Sequence, residues 1–312
     1  MNIVFAGTPE FAVAPLKKIV ENGFTVVGVI TQTDKPQGRK GILTPPPVKV
    51  AAEALGIPVL QPEKIKDELP AVKALGGELL VTCAYGQILT QETLDCFPKG
   101  VWNIHAGLLP KYRGASPIQS CILAGETQTG VSVMKTELGL DSGDILLEER
   151  TPIDEKETCG ELSKRLSLLG AEAIVKALKR IETGEYTLTK QSAEGVNVVR
   201  KIHKEQAKID FTKTAKEIVD LVRGMNPAPV AYTALDGNKI NVYLAEKASL
   251  EEGEENAACG EVLSESVKRG LVVKCGDGAV KLLEVQAAGG KRMKGGDFLN
   301  GRKARKGQVL EC

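Results

Sequence analysis

Asn103 and His105 sit two positions apart where a short apolar run gives way to a loop rich in glycine and proline, in VWNIHAGLLPKYRGASPIQ. On an extended backbone, residues i and i+2 leave the same face, so one amide and one imidazole can converge on one small acceptor. The chain has two histidines. The other, His203, lies in KIHKEQAK among charged residues that read as a solvated face, which makes His105 the candidate for chemistry. In GLDSGDILLEER, Asp141 and Asp144 flank Gly143; Asp and Gly are ordinary turn formers, so by itself this position says little about catalysis. Cys83 and Cys121 lie near these segments in sequence, and a small buried thiol is the reading for each.

The elements that must position these residues open with Ile3 to Ala6, an apolar run broken by Gly7. Thr8, Pro9 and Glu10 then supply an N-cap, a first-turn proline and a first-turn acid before the helical spacing Phe11, Leu16, Ile19, Val20. Further runs at Thr25 to Thr31, Ile57 to Leu60, Leu79 to Ala84 and Val101 to His105 alternate with helical stretches. That pattern predicts an α/β fold, a doubly wound, mostly parallel sheet covered on both faces. In such a sheet a ligand belongs outside the carboxyl ends of the strands, where Gly7, Tyr85, Gly86 and His105 fall. One glycine after the first strand is not a GxGxxG fingerprint, and no Walker lysine pattern occurs. Thr158 and Glu161 form a capping box that opens a long helix to about Ile181.

Residues 34–49, DKPQGRKGILTPPPVK, carry Lys35, Arg39, Lys40 and Lys49 against one acid. They form either a mobile solvated loop or one that orders on a phosphate backbone. Residues 190–207 lose periodicity and read as a linker between a domain over 1–189 and a second over 208–312. In the second, Thr214 and Glu217 cap a helix, and short strands with tight turns at Asp236 Gly237 and Gly276 Asp277 Gly278 predict a small β-barrel, oligonucleotide-binding-like. Residues 289–306 place Lys291, Arg292, Lys294, Arg302, Lys303, Arg305 and Lys306 against Asp297. This is a basic edge open to two readings, nucleic-acid surface or solvated tail.

At 312 residues, 42% hydrophobic, with a net charge of +1, the chain has the composition of an ordinary globular protein. No apolar run approaches the ~20 residues of a membrane helix, and the expectation is a cytoplasmic monomer. Seven scattered cysteines, none two apart, fit reduced thiols, and a metal site is not expected.

The segments FAGTPEFA, TDKPQGR, CAYGQIL, NIHAGLLPKYRGASPIQ, GLDSGDIL, AKIDF and GKRMKGGDFLNGR resemble the methionyl-tRNA formyltransferase family over essentially the whole chain. The resemblance implies a formyltransferase fold followed by an oligonucleotide-binding-like barrel, 10-formyltetrahydrofolate as formyl donor, and initiator methionyl-tRNA as partner. It implies catalytic roles for Asn103, His105 and Asp141, with Asp144 not the match. The pterin is expected against Tyr85, Gly86, Gln87, Ile88 and Leu89, against Gly107, Leu108, Leu109 and Pro110, and against Leu140, Ser142, Gly143 and Asp144. Lys35, Arg39, Lys40, Lys291, Arg292, Lys294 and Arg302 are the expected tRNA contacts. Two departures stand out: Gly107, where the family commonly has serine, and Ala228, where related chains can carry tryptophan.

On that reading the formyl group moves to the α-amine of methionine without a covalent enzyme intermediate. Asn103 and a protonated His105 donate to the formyl oxygen, while Asp141 holds His105 and favours its charged form. The competing readings are formyl transfer to a small amine, such as a ribonucleotide or an amino sugar, and an RNA-binding module whose α/β half has lost activity.

Overall fold

The computed structural model describes residues 1–38, 41–301 and 303–312. It divides into two compact units, one of Met1–Pro117, Gln128–Pro152 and Ser163–Val199, the other of Ile118–Thr127, Ile153–Leu162 and Arg200–Cys312. The stretch 190–207 is shared between them, 190–199 with the first and 200–207 with the second.

In the first unit a seven-stranded sheet runs in the order Ile145–Pro152, Gln128–Lys135, Val101–His105, Leu79–Cys83, Asn2–Gly7, Thr25–Ile30, Val59–Leu60. The last five strands of that order are parallel, and the first two join antiparallel. The mostly parallel sheet read from the apolar runs is therefore present, with two antiparallel strands at one edge. Five consecutive residues of Asn2–Gly7 are buried, which requires cover on both faces. One cover is the helix Cys159–Thr183. It opens on the expected capping box, Thr158 N–H donating to Glu161 Oε2 at 2.8 Å and Glu161 N–H to Thr158 Oγ1 at 3.3 Å. A Cβ on its Gly170 would stand 3.0 Å from Ile104, so Ile104 faces this helix and Asn103 and His105 face away from it.

Thr8 does not cap the following helix. Its hydroxyl donates to the Tyr85 carbonyl at 2.9 Å, tying the ends of two parallel strands together, and Pro9 begins a 3-10 turn before the helix Val13–Glu21. The order of strand addition reverses between the parallel strands Asn2–Gly7 and Leu79–Cys83, the switch point where open α/β sheets bind ligands.

The second unit has strands Ala231–Leu235, Asn238–Ala248, Gly278–Ala287 and Leu271–Cys275, antiparallel and in that order, with Met293–Lys294 added to Gly278–Ala287. Single bridges join Val273 to Val262, Glu261 to Val309, and Glu311 to Ala234. They carry pairing from the last strand back to the first and close the barrel. Asp236 and Gly237, at φ 50 and 74, form the two-residue turn that matches strand twist. Phe211, Val242, Val273 and Leu282 fill the interior beside Ile218 and Val222 of the capped helix Ala215–Gly224.

Candidate active site

The strand Val101–His105 is flanked by Leu79–Cys83, which sets Thr82 opposite Asn103, and by Gln128–Lys135, which sets Ser132 opposite His105. The Thr82 hydroxyl donates to Asn103 Oδ1 at 2.8 Å. In this orientation of the amide the oxygen is held, and the N–H groups are left to donate. Buried Ser132 donates to the Gly107 carbonyl at 2.8 Å and accepts from Leu109 N–H at 3.2 Å, shaping the loop that follows His105.

His105 is 4% exposed. Its Nδ1 stands 3.6 Å from Asp141 Oδ2 and its Nε2 lies 3.1 Å from the Tyr112 carbonyl oxygen. Both neighbours are acceptors, while a neutral imidazole has one N–H to give. The pair thus has room for a second proton. Burial opposes that proton and holds the ring below its ordinary value of 6.5, against the pull of Asp141 and the Tyr112 carbonyl, with Arg113 adding to the depression. Acceptors at both ring nitrogens favour the charged imidazolium, while desolvation works against it. Gly107 leaves room for this arrangement, since a Cβ there would stand 3.1 Å from Nε2.

Asp141 adopts φ 46, a left-handed conformation uncommon outside glycine. Its Oδ2 accepts from Gly114 N–H at 2.8 Å, and Gln191 Nε2 donates to the carbonyls of Asp141 at 2.9 Å and Gly143 at 2.7 Å. No side chain fits at Gly143, where a Cβ would run into the Lys135 carbonyl.

The segments expected to meet the pterin divide into groups already engaged and groups still exposed. The Tyr85 ring is buried and its carbonyl accepts from Thr8 and from Gln32 Nε2 at 3.0 Å, while Gly86 turns at φ 83. Gln87 is pinned to Pro62, Glu63 and Ile65. In the segment Gly107 to Pro110, the Gly107 carbonyl and Leu109 N–H bond Ser132, and the Leu108 carbonyl accepts from Lys111 N–H. Pro110 follows a cis bond, and Leu109 packs on Met134 and Ile145. By contrast Ile88 is 88% and Leu140 60% exposed. Leu89, Ser142 and Asp144 are half-buried.

Among the expected tRNA contacts, Arg39, Lys40 and Arg302 lie outside the described residues. Lys35 is exposed on the strand Lys35–Gln37, which pairs with Ile42–Thr44 as a short hairpin. Lys49, counted with that basic stretch, is held by Asp34 at 3.0 Å. In the second unit Lys291 and Lys294 are exposed, and Arg292 is fixed by Glu284 at 2.7 Å and by the Tyr243 ring at 3.8 Å. Thr82, Ser132 and Gln191 carried no signal in the sequence, because each acts through a pairing with a distant segment. Among the described residues no cluster of His, Cys, Asp and Glu is arranged to hold a metal.

Residues 1–178 match the formyl transferase family, and residues 201–303 the formyl transferase C-terminal domain. A methionyl-tRNA formyltransferase of Bacillus velezensis is 43% identical over 312 residues, covering 99% of this chain and 97% of that protein. One of Neisseria meningitidis is 43% identical, covering 99% of this chain and 100% of that protein. An N-formyltransferase from Helicobacter canadensis, solved with folinic acid and dTDP-3-aminofucose, shares the fold with a TM-score of 0.66 at 19% identity, covering 89% of this chain and 97% of that one.

Proposed function

The chain belongs to the formyl transferase family, and we propose from that premise that it transfers the formyl group of 10-formyltetrahydrofolate to the α-amine of methionyl initiator tRNA. The observation that carries this reading is 43% identity to methionyl-tRNA formyltransferases along 99% of the chain.

The exposed apolar side chains of Ile88 and Leu140, one in each of two segments assigned to the pterin, suit a flat ring that needs cover from water. When bound, the folate supplies the formyl carbon and accepts a proton as its N10–formyl bond breaks. Everything else falls to the chain. An α-amine with a pKa of about 7.7 to 8.0 is partly free near neutral pH, so the enzyme needs no strong base to create the nucleophile.

As the new C–N bond forms, negative charge grows on the formyl oxygen. Asn103, its oxygen held by Thr82, gives an amide N–H to that charge, a contribution of about 2.7 to 4 kcal/mol. The attacking amine must lose a proton. Asp141, whose Oδ2 faces His105 and accepts from Gly114 N–H, takes it directly or through water and passes it to the departing nitrogen. No serine or cysteine nucleophile is used. The basic edge at Lys291, Arg292 and Lys294, together with the basic sequence around Lys35 and Arg39, holds the tRNA by its phosphates.

Replacing Asn103 by alanine or Asp141 by asparagine should cut turnover while tRNA affinity stays within about twofold. Full turnover in both variants would reject this assignment.

A further inference from the structure

Residues 189–199 run as a strap across the two segments that bracket His105. The Ile145 and Thr189 backbones exchange hydrogen bonds of 2.8 Å. Gln191 then uses all of its bonding capacity: Nε2 donates to the carbonyls of Asp141 and Gly143, while Oε1 accepts from Arg113 Nε at 3.0 Å and Nη2 at 2.6 Å. Asn197 Oδ1 accepts from Tyr112 N–H, and its carbonyl accepts from Arg113 N–H at 3.0 Å. Val199 accepts from Ala115 N–H at 2.9 Å, closing a short parallel pairing of Val198–Val199 with Arg113–Gly114. Gly114 permits that pairing, because a Cβ there would run into the Val199 carbonyl. Its own N–H goes to Asp141 Oδ2.

The strap therefore fixes the carbonyl that faces His105 Nε2 and the carboxylate that faces Nδ1. Asp141 is held there in a left-handed conformation that costs a non-glycine residue free energy unless its surroundings impose it.

We propose that Gln191 and Asn197 are positioning residues for formyl transfer, acting through Asp141 and Tyr112 on His105. This rests on the roles given above to His105 and Asp141. Gln191 is specified by its chemistry: glutamate has no N–H for the two carbonyls, and an apolar residue of the same length leaves them and Arg113 without this partner.

The test is single-turnover formyl transfer to methionyl-tRNA by the full chain carrying Gln191→Met, Gln191→Glu, Asn197→Ala and, separately and combined with Gln191→Met, Asp141→Asn. Gln191→Met should slow the chemical step roughly 10- to 100-fold, with KM for tRNA and folate within about twofold. Added to Asp141→Asn, it should cost almost nothing further, because both changes release the same carboxylate. A rate unchanged by Gln191→Met, or losses that multiply in the double variant, would overturn the proposal. If Gln191→Met does not fold, the rates of Gln191→Glu and Asn197→Ala decide in the same way. Turnover retained in Asp141→Asn alone would instead remove the role of the aspartate itself.

Discussion

On the proposed mechanism, the chemistry at residue scale divides between a donor that is fixed and a proton that can move. Asn103 can serve as a donor because Thr82 occupies its oxygen. Thr82→Val should therefore free the amide to flip and lower kcat about 2- to 10-fold, the equivalent of one net hydrogen bond, with KM little changed. The depressed His105 pKa has two consequences. On the activity side the ring's titration lies below its ordinary value, so the rate should rise with the amine's own titration at about 8 and show no inflection at 6.5. On the stability side the unfolded chain takes up a proton near pH 6.5 before the folded chain can. Stability from this site is complete above that value and is lost as pH falls from 6.5 toward the folded pKa. Denaturant titrations of the protein and His105→Gln should diverge below pH 6.5, the variant showing the shallower decline. Sequence spacing was enough to pair Asn103 with His105, because i and i+2 share a face on any strand. It could not find Thr82 or Ser132, whose partners are set by register between strands, nor the balance of burial against carboxylate at His105.

Among the elements, turns are as specified as strands. The Asp141 turn closes against the Lys135 carbonyl with no space for a methyl at Gly143. Gly143→Ala should force the turn outward, destabilise the chain by about 1 to 3 kcal/mol and cut turnover with it, read by thermal denaturation beside an activity assay. The capping boxes at Thr158 and Thr214 were legible because they are local, four residues reading each other's backbone. Thr8 has the same residue type before a helix but bonds Tyr85 across the sheet instead. A threonine before a helix does not announce which partner it will find when a distant strand end offers a carbonyl. The segment after Thr189 shows the same limit: it lacks periodicity because its order comes from bonds to Arg113, Tyr112 and Asp141 rather than from a repeat of its own.

For the whole molecule, the sequence made both architectures visible, the parallel sheet through buried runs and the barrel through short strands and tight turns. Which segments close the barrel was not legible, since closure runs through single bridges such as Glu311 to Ala234. The overall charge of +1 gives no general attraction for a polyanion, so tRNA affinity must come from local basic edges. Replacing Lys291 and Lys294 together by alanine should weaken tRNA binding and reduce the slope of log affinity against log salt by about 2 if each meets one phosphate. The rate at saturating tRNA should remain. Arg292, already held by Glu284 and Tyr243, is the more rigid of the three cations, so its loss should also remove packing on the Tyr243 ring. The most direct test of the account is transfer of labelled formyl from 10-formyltetrahydrofolate, under identical salt, to methionine-charged initiator tRNA, methionine-charged elongator tRNA and a small amino sugar. Label on the initiator tRNA alone is the predicted result; label on the amino sugar with none on either tRNA would contradict it.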